Sequence, residues 1–216
     1  MIDLGISSPQ VDEAERGFSF RLDSYLDMRM DQTKGITAAD IVNTYAEQDL
    51  IHALKIYGEE KFARKIVRAI VTHREEKGPI KMTLELADLI KNAVPKRDIK
   101  KNPATKTFQA LRILVNKELE ELQGVLPKVF SYLKPKARLV VISFHSLEDR
   151  IVKNYTKSLL KTDFIPKNIP IKASEIKAAP FKVVQKMITP SLKEIEKNPR
   201  SRSAKLRVVE KVVDAE

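Results

Sequence analysis

The sequence contains no cysteine, no tryptophan and only three histidines. Because it has no thiol, the chain cannot form a disulfide, hold an iron–sulfur cluster or supply a thiolate nucleophile. His52, His73 and His145 lie too far apart to show the spacing of zinc ligands, and we predict no metal site. Any catalysis must therefore use carboxylates, hydroxyls, amides, one of these imidazoles or a bound cofactor.

Glycine is also scarce, and none of the six glycines lies within two residues of another. The dinucleotide fingerprint G-x-G-x-x-G and the P-loop pattern G-x-x-x-x-G-K-[ST] are therefore both absent. A self-sufficient dinucleotide site or P-loop site is excluded in this chain.

Long apolar runs are missing as well. No stretch approaches the roughly 20 residues that a membrane-spanning helix needs. The first residues do not show the basic flank and apolar stretch of a secretory signal. These features favour a cytoplasmic protein without a membrane partner.

Charge is the first positive indication of function. The formal net charge is +11 and the pI is about 9.7. An excess of Lys and Arg favours a polyanionic partner, because each neutralised phosphate releases counterions. The alternative is a set of solvated surface lysines, and charge alone does not choose between RNA, DNA and a ribosome surface.

The hydrophobic pattern predicts an α/β protein. It indicates, in order, a strand end at residues 1–10, a helical block over 37–94, a long helix from about Thr105, a strand at Arg138–Ser143, a helix from Ser146, and strands at Phe181–Ile188 and Ala204–Val212. This order fits the carboxyl half of a doubly wound sheet that ends in an antiparallel hairpin. A helical insertion after the first strand would lie beside the site and suit substrate recognition.

Several local details follow from the same pattern. Thr37, Thr83 and Ser146 are predicted helix caps, and Pro127 is predicted to restart a short helix that ends at Leu133. The last strand alternates, which predicts Leu206 and Val208 inward and Lys205 and Arg207 outward. A basic linker at 96–103 and a connection at 161–179 rich in Lys and Pro separate these elements.

Two strand ends carry polar groups. The first, D-L-G-I-S-S-P-Q (3–10), offers an acid, two hydroxyls and an amide, or it is an ordinary turn. The second, S-F-H-S-L-E-D-R (143–150), invites comparison with a hydrolase triad, which we disfavour because triad members approach from different elements. His145 then either faces a pocket at a capped helix start or is purely structural.

Basic and aromatic groups form two further candidates. Arg200, Arg202, Lys205 and Arg207 lie close together in N-P-R-S-R-S-A-K-L-R and suit phosphates, or they protect an exposed strand edge. The segments R-G-F-S-F (16–20) and D-M-R-M-D (27–31) suit stacking of an unpaired base, or their apolar side chains anchor the loop on the core.

Seven blocks together resemble one family, the small-subunit ribosomal RNA methyltransferases H, also called MraW. They are D-L-G-I-S-S-P-Q, A-E-R-G-F-S-F, L-D-M-R-M-D, Y-G-E-E, F-Q-A-L-R-I-L-V-N-K-E-L, I-S-F-H-S-L-E-D-R-I-V-K and N-P-R-S-R-S-A-K-L-R, in that order along nearly the whole chain. The resemblance implies a Rossmann-like fold that uses S-adenosylmethionine (SAM) to methylate N4 of a cytidine in the decoding region of 16S rRNA. It makes the small ribosomal subunit the partner and leaves a homodimer open.

The resemblance also implies residue roles. Asp3 and Gln10 match the acid and the glutamine that contact the cofactor in that family. The chemistry of the residues, rather than the resemblance, suggests the catalytic groups. Asp3, Ser7, Ser8 or a backbone carbonyl of that loop could accept the proton or hydrogen bond of the amine, and His145 is a further candidate after them. The basic and aromatic segments described above supply the candidate RNA contacts, which are Arg16, Phe18, Arg29, Arg200, Arg202 and Lys205. Residues 1–36 and 104–216 would form the methyltransferase domain, and 37–103 the helical insertion.

The sequence departs from the family at its amino-terminal side. The family has a glycine-rich SAM loop and an acidic ribose-binding residue upstream, and neither is present in this chain. About three βα units of roughly 30 residues each would precede the first strand. The expectation is therefore an amino-terminally truncated member. It is either a methyltransferase or a catalytically inactive fragment that binds RNA or the ribosome.

Overall fold

The structure is a computed structural model that describes residues 1–95, 102–160 and 179–212. The chain divides into two compact units. A sheet unit comprises Met1–Gly5 and Leu119–Glu216, and a helical unit comprises Ile6–Glu118. Residues 96–101 of the predicted linker and 161–178 of the predicted connection lie outside the described residues.

The described residues of the helical unit form six α-helices. They are α1 (Ser8–Asp12), α2 (Ala38–Thr44), α3 (Glu47–Ile56), α4 (Ala63–Glu76), α5 (Thr83–Ala93) and α6 (Ala104–Asn116). Thr37 caps α2 as predicted, because its hydroxyl accepts from Asp40 N while the Asp40 carboxylate accepts from Thr37 N. Apolar residues of α2–α6 share one core. The arm before α2 joins this core through Phe18, Leu26 and Met28.

In the part of the sheet unit that the structure describes, four strands lie in the order β1-β2-β4-β3. These are β1 (Ile2–Asp3), β2 (Arg138–Ser143), β3 (Phe181–Ile188) and β4 (Lys205–Lys211). β1 is parallel to β2, and the other two pairs are antiparallel, so the predicted parallel strand and closing hairpin are both confirmed. Helices α7 (Glu118–Tyr132), α8 (Ser146–Leu159) and α9 (Leu192–Lys197) complete this unit.

One hydrophobic cluster joins the sheet to its helices. Phe130 of α7 lies at its centre, with ring centroids 4.8 Å from Phe181 and 5.1 Å from Tyr155. Val141 of β2 and Val209 of β4 pack into the same cluster. Burial of these side chains from water is the main force that holds α7 and α8 on the sheet.

The predicted orientation of β4 is wrong. Val209 is buried in the helix-covered core, and Arg207, two residues earlier, donates to Asp149 of α8. Leu206 and Val208 therefore lie on the opposite face. The alternation of apolar and basic residues in β4 was predicted correctly, but the wrong set was assigned to the covered face. Arg207 can point toward the helices because it forms an ion pair with Asp149 of α8.

The predicted break at Pro127 is also wrong. Pro127 lies inside α7, and the chain breaks instead at Lys117, which has a left-handed φ of 50° between α6 and α7. Leu122, Leu126 and Phe130 recur every four residues and pack on the sheet. This packing outweighs the single backbone hydrogen bond that an exposed proline removes.

Thr83 is the first residue of α5 and not its cap, which is Met82. The Thr83 hydroxyl instead donates to the carbonyl of Leu22 at 2.7 Å and accepts from Ser24 N at 3.1 Å. A side chain that binds a distant segment is not available to cap its own helix. Thr83 therefore anchors the arm before α2.

The α/β fold class predicted from the sequence, consistent with a Rossmann-like methyltransferase, is confirmed. The helical unit extends beyond the predicted insertion at 37–103, because the arm at 6–36 and α6 share its core. The division into methyltransferase and substrate-recognition domains stays a prediction. No helix among the described residues is long and apolar enough to cross a membrane.

Candidate functional site

Asp3 and the end of β2 lie at the same edge of the sheet unit. Asp3 is in register with Ile142, and Leu4 N donates to the Ile142 carbonyl at 3.0 Å. Gly5 follows with a φ of +96°, and a Cβ there would lie 3.6 Å from the ring of Phe144. The Asp3 side chain is exposed at the carboxyl end of a parallel strand, which is where open α/β sheets bind ligands.

His145 is the cap residue of α8, in place of the predicted Ser146. Its Nδ1 accepts from Glu148 N at 3.4 Å, and the Glu148 carboxylate accepts from Phe144 N at 2.8 Å and His145 N at 3.3 Å. Nε2 of the same ring is buried and lies 3.1 Å from Oε1 of Glu148, without the geometry of a hydrogen bond. The imidazole thus uses Nδ1 to begin the helix, which requires that nitrogen to be unprotonated.

Ser143, His145 and Asp149, the three groups of the disfavoured hydrolase triad, each contact a different partner. Ser143 is buried, and its hydroxyl donates to the Lys205 carbonyl at 3.4 Å. Asp149 binds cations of β4, and His145 begins α8. The structure therefore gives no support to a serine nucleophile in this segment.

Asp149 joins α8 to β4 through two cations. Its carboxylate accepts from Arg207 Nε at 2.7 Å and from the terminal guanidinium nitrogen at 3.2 Å, and Lys205 Nζ lies 3.4 Å away. Burial by itself would raise the pKa of Asp149, but the hydrogen bonds and charges of Arg207 and Lys205 outweigh it. The pKa therefore lies below its ordinary value of 3.8.

Two of the predicted RNA contacts are exposed in the sheet unit. Arg200 and Arg202 lie on a 3-10 helix, Pro199–Ser203, whose first turn is held by Asn198 accepting from Arg200 N at 3.2 Å. Lys205, the third, is half-buried beside Asp149. Their role in binding RNA stays a prediction.

The loop after β1 forms the short helix α1. Gln10 Oε1 accepts from Ser7 N at 2.8 Å and from Ser7 Oγ at 3.3 Å, so its carbonyl end begins that helix. No hydrogen-bond partner of the Gln10 Nε2 lies among the described residues. Ser8 is exposed on the first turn. Gln10 thus keeps two amide donors for a ligand.

The remaining predicted RNA contacts belong to a tightly bound loop of the helical unit. Arg16 donates to the carbonyls of Arg29 and Met30, both at 3.0 Å, and Arg29 forms an ion pair with Asp27 at 2.7 Å. Phe18 is buried in the core. Its ring therefore packs as a core residue, which is the loop-anchoring alternative. An RNA contact by Phe18 stays a prediction.

Three residues that hold this loop were missed from the sequence. Asn116 donates to Met28 O at 2.8 Å and accepts from Met30 N at 2.7 Å. Asp27 accepts from the backbone and the side chain of Arg29. Gly17 is required because a Cβ would lie 2.5 Å from Asp27 N. Only tertiary contacts reveal these roles, although each residue lies in a block that carries the family resemblance.

The comparisons with known proteins cover all of these blocks. The family model described as the MraW methylase family matches residues 1–212. The chain is 52% identical over 211 residues to a ribosomal RNA small subunit methyltransferase H of Methylobacillus flagellatus, which covers 98% of this chain and 66% of that protein. It is 49% identical over 211 residues to the protein of that name in Neisseria gonorrhoeae, with the same two coverages.

A third relative agrees. The protein of the same name in Coxiella burnetii is 50% identical over 212 residues, which covers 98% of this chain and 68% of that relative. The chain thus spans about two thirds of the length of these relatives. A match over nearly all residues, at about half identity, accounts for the shared blocks in both units. The chain belongs to the MraW methylase family.

Proposed function

We propose that this protein transfers a methyl group from SAM to N4 of a cytidine in the decoding region of 16S rRNA. The observation that carries the proposal is the match of the MraW methylase family model to residues 1–212, together with the similarity over 98% of the chain to relatives named ribosomal RNA small subunit methyltransferase H. The exposed Asp3 at the carboxyl end of β1 supports it, because this edge suits a bound cofactor.

Two of the predicted cofactor contacts carry polar groups of the kind that SAM can bind. Asp3 offers an exposed carboxylate that can accept from an ammonium or a hydroxyl group, and Gln10 offers amide donors. We propose that each of these two side chains contacts the cofactor. When bound, SAM supplies a methyl group on a positively charged sulfur, which is the electrophile of the reaction.

The residue inventory favours an exocyclic nitrogen as the acceptor of the methyl group. Methylation at carbon 5 of cytosine ordinarily uses a cysteine nucleophile, and this chain has no cysteine. Transfer to N4 requires only that the amine is held in line and that its proton or hydrogen bond is accepted. This chain then acts by orienting the base and the amine.

The candidate acceptors differ in whether their polar atoms already form hydrogen bonds within the protein. The Asp3 carboxylate is exposed, and so is the Ser8 hydroxyl. Ser7 donates its hydroxyl to Gln10, and the Nδ1 lone pair of His145 is used in the helix cap. We therefore propose Asp3 as the principal acceptor, with Ser8 next, and a positioning role for His145 and Ser7.

The partner follows from the substrate. We propose that the protein acts on the small ribosomal subunit in the cytoplasm, where its basic charge favours RNA. The comparisons give no support to a homodimer. They also give none to the catalytically inactive fragment, since the relatives that match the same residues are named as methyltransferases.

The test is methyl incorporation into small ribosomal subunits that lack the modification. The chain is incubated with radiolabelled SAM, and the digested RNA is searched for N4-methylcytidine by mass spectrometry, with the Neisseria gonorrhoeae relative as positive control. Asp3→Asn should lower turnover by roughly a hundredfold, while Asp88→Asn, an exposed control, should leave it unchanged. If the relative modifies the RNA and the chain does not, or if methyl appears at carbon 5, the proposal is wrong.

A further inference from the structure

A groove with a basic rim runs between α4 and α5 in the helical unit. Its volume is about 640 Å³. Its floor is apolar, formed by Ala69, Leu89 and Ala93, and its rim carries cations from α4 and the turn after it. The lining residues with polar or charged side chains are Arg64, Lys65, Arg68, Thr72, His73, Glu76 and Lys77.

The core determines which side of α4 faces the groove. Ile66, Val67 and Ile70 are fully buried, so the opposite side of the helix is in water. Arg64, Lys65 and Arg68 lie on that side and are exposed. The basic rim is therefore displayed by the same packing that forms the helix.

These cations differ from three other arginines of the helical unit, Arg29, Arg74 and Arg112. Arg29 binds Asp27, Arg112 binds Glu118, and Arg74 donates to two backbone carbonyls. In contrast, no ion pair or hydrogen bond is found for the side chains of Arg64, Lys65 and Arg68 within the part of the chain that the structure describes. Unpaired cations that lie close together repel one another, and an anion relieves that repulsion.

We propose that this groove binds the phosphodiester backbone of single-stranded RNA. The inference rests on the proposed function, which makes RNA the substrate. It adds a contact surface within the predicted helical insertion at 37–103, formed by residues that the sequence analysis did not single out. Arg64 and Arg68 are one helical turn apart, about 6 Å, and Lys77 lies about 20 Å along the helix from Arg64. That length spans several nucleotides of a stacked strand, at about 3.4 Å each.

The chemistry of the lining favours RNA over a small anion. Glu76 is the single acid of the lining, and it lies at the end of α4 away from Arg64 and Lys65. His73 also lines the groove, and its Nε2 contacts Glu85 Oε1 at 3.0 Å. The apolar floor suits sugars and the faces of bases, while the cations above it meet phosphates.

The test measures binding of a fluorescein-labelled single-stranded RNA by anisotropy at several salt concentrations. The full chain is compared with the triple variant Arg64→Gln, Lys65→Gln, Arg68→Gln. A matched control, Lys128→Gln, Lys153→Gln, Lys157→Gln, removes the same charge from exposed helix positions of the sheet unit. Loss of three phosphate contacts should weaken binding roughly tenfold and make the slope of log K against log salt shallower by about 2.

The control variant distinguishes RNA binding in the groove from a general effect of the positive charge of the protein. Equal weakening by both triple variants would overturn the inference, and so would tighter, groove-dependent binding of an acidic peptide with the same charge as the RNA. Photocrosslinking of wild type to RNA that contains 4-thiouridine gives an independent result, with the crosslinked peptide expected within 64–77. Circular dichroism verifies folding of both variants. Neither readout depends on methyl transfer, so the groove and the proposed activity can fail separately.

Discussion

The guanidinium of Arg207 closes a two-point ion pair on the carboxylate of Asp149, with nitrogen–oxygen distances of 2.7 and 3.2 Å. The contact joins α8 to β4 across 58 residues of sequence. Both side chains are largely shielded from water, so their attraction is only weakly screened. The pair therefore stabilises the sheet unit next to the end of β2.

Asp149→Asn should lower the free energy of unfolding of the sheet unit by about 2 kcal/mol, because it leaves Arg207 without its charged partner. Urea unfolding followed by far-UV circular dichroism measures the change. Glu121→Gln, at an exposed position of α7, serves as control and should stay within about 0.5 kcal/mol of wild type. Equal stability of Asp149→Asn and wild type would show that the pair contributes nothing.

The stability difference between wild type and Asp149→Asn should also depend on pH. Because the pKa of Asp149 is lowered in the folded state, its contribution is present above the unfolded pKa of about 3.9 and is lost as pH falls through the folded value. The stability difference between wild type and Asp149→Asn should be constant from pH 7 to about 5 and vanish at lower pH. Urea titrations at pH 7, 5 and 3 give the difference. A gap that persists unchanged at pH 3 would contradict the assignment.

Asn116→Ala should destabilise the helical unit by about 2 kcal/mol, since it removes the hydrogen bonds to Met28 O and Met30 N. Met28 has a φ of 62°, which is strained for a side chain of this size, and Asn116 contributes to holding it there. Thermal unfolding measures the loss. Asn92→Ala, exposed on α5, is the matched control and should change stability little.

Three glycine-to-alanine variants should change the free energy of unfolding by different amounts, and one of them should raise it. Gly17→Ala should cost more than about 3 kcal/mol, because a Cβ would lie 2.5 Å from two backbone atoms. Gly35→Ala meets no atom within 4 Å but has a φ of +81°, so it should cost about 1 kcal/mol. Gly124→Ala, in α7 with no atom within 4 Å, should stabilise by about 0.5 kcal/mol. Urea midpoints rank the three, and a different order would contradict the predicted causes.

The elements that the sequence predicted correctly have strong local patterns. The apolar periodicity of α4 and the β-branched run of β2 each leave one secondary structure favoured. The misjudged elements depend on distant partners. Pro127 stays helical because neighbouring leucines pack on the sheet, and β4 turns its basic side chains toward α8 because Asp149 neutralises them.

The candidate site follows the same division. The motifs around Asp3, Gln10 and His145 were found from the sequence, and with them the family. The sequence did not reveal that His145 begins α8 or that Asp149 binds Arg207 and Lys205. It also did not single out Arg64 and Arg68, because an unpaired cation and a solvated one look the same in a sequence.

The sequence by itself determined the α/β class, the lack of cysteine in this chain, the basic charge and the family, because these depend on residue types and local order. Tertiary structure alone decided which face of β4 is covered, which cations are neutralised and which remain unpaired along a groove. The physical reason is that ion pairs and hydrogen bonds form between residues far apart in sequence, and their energies depend on distance and burial.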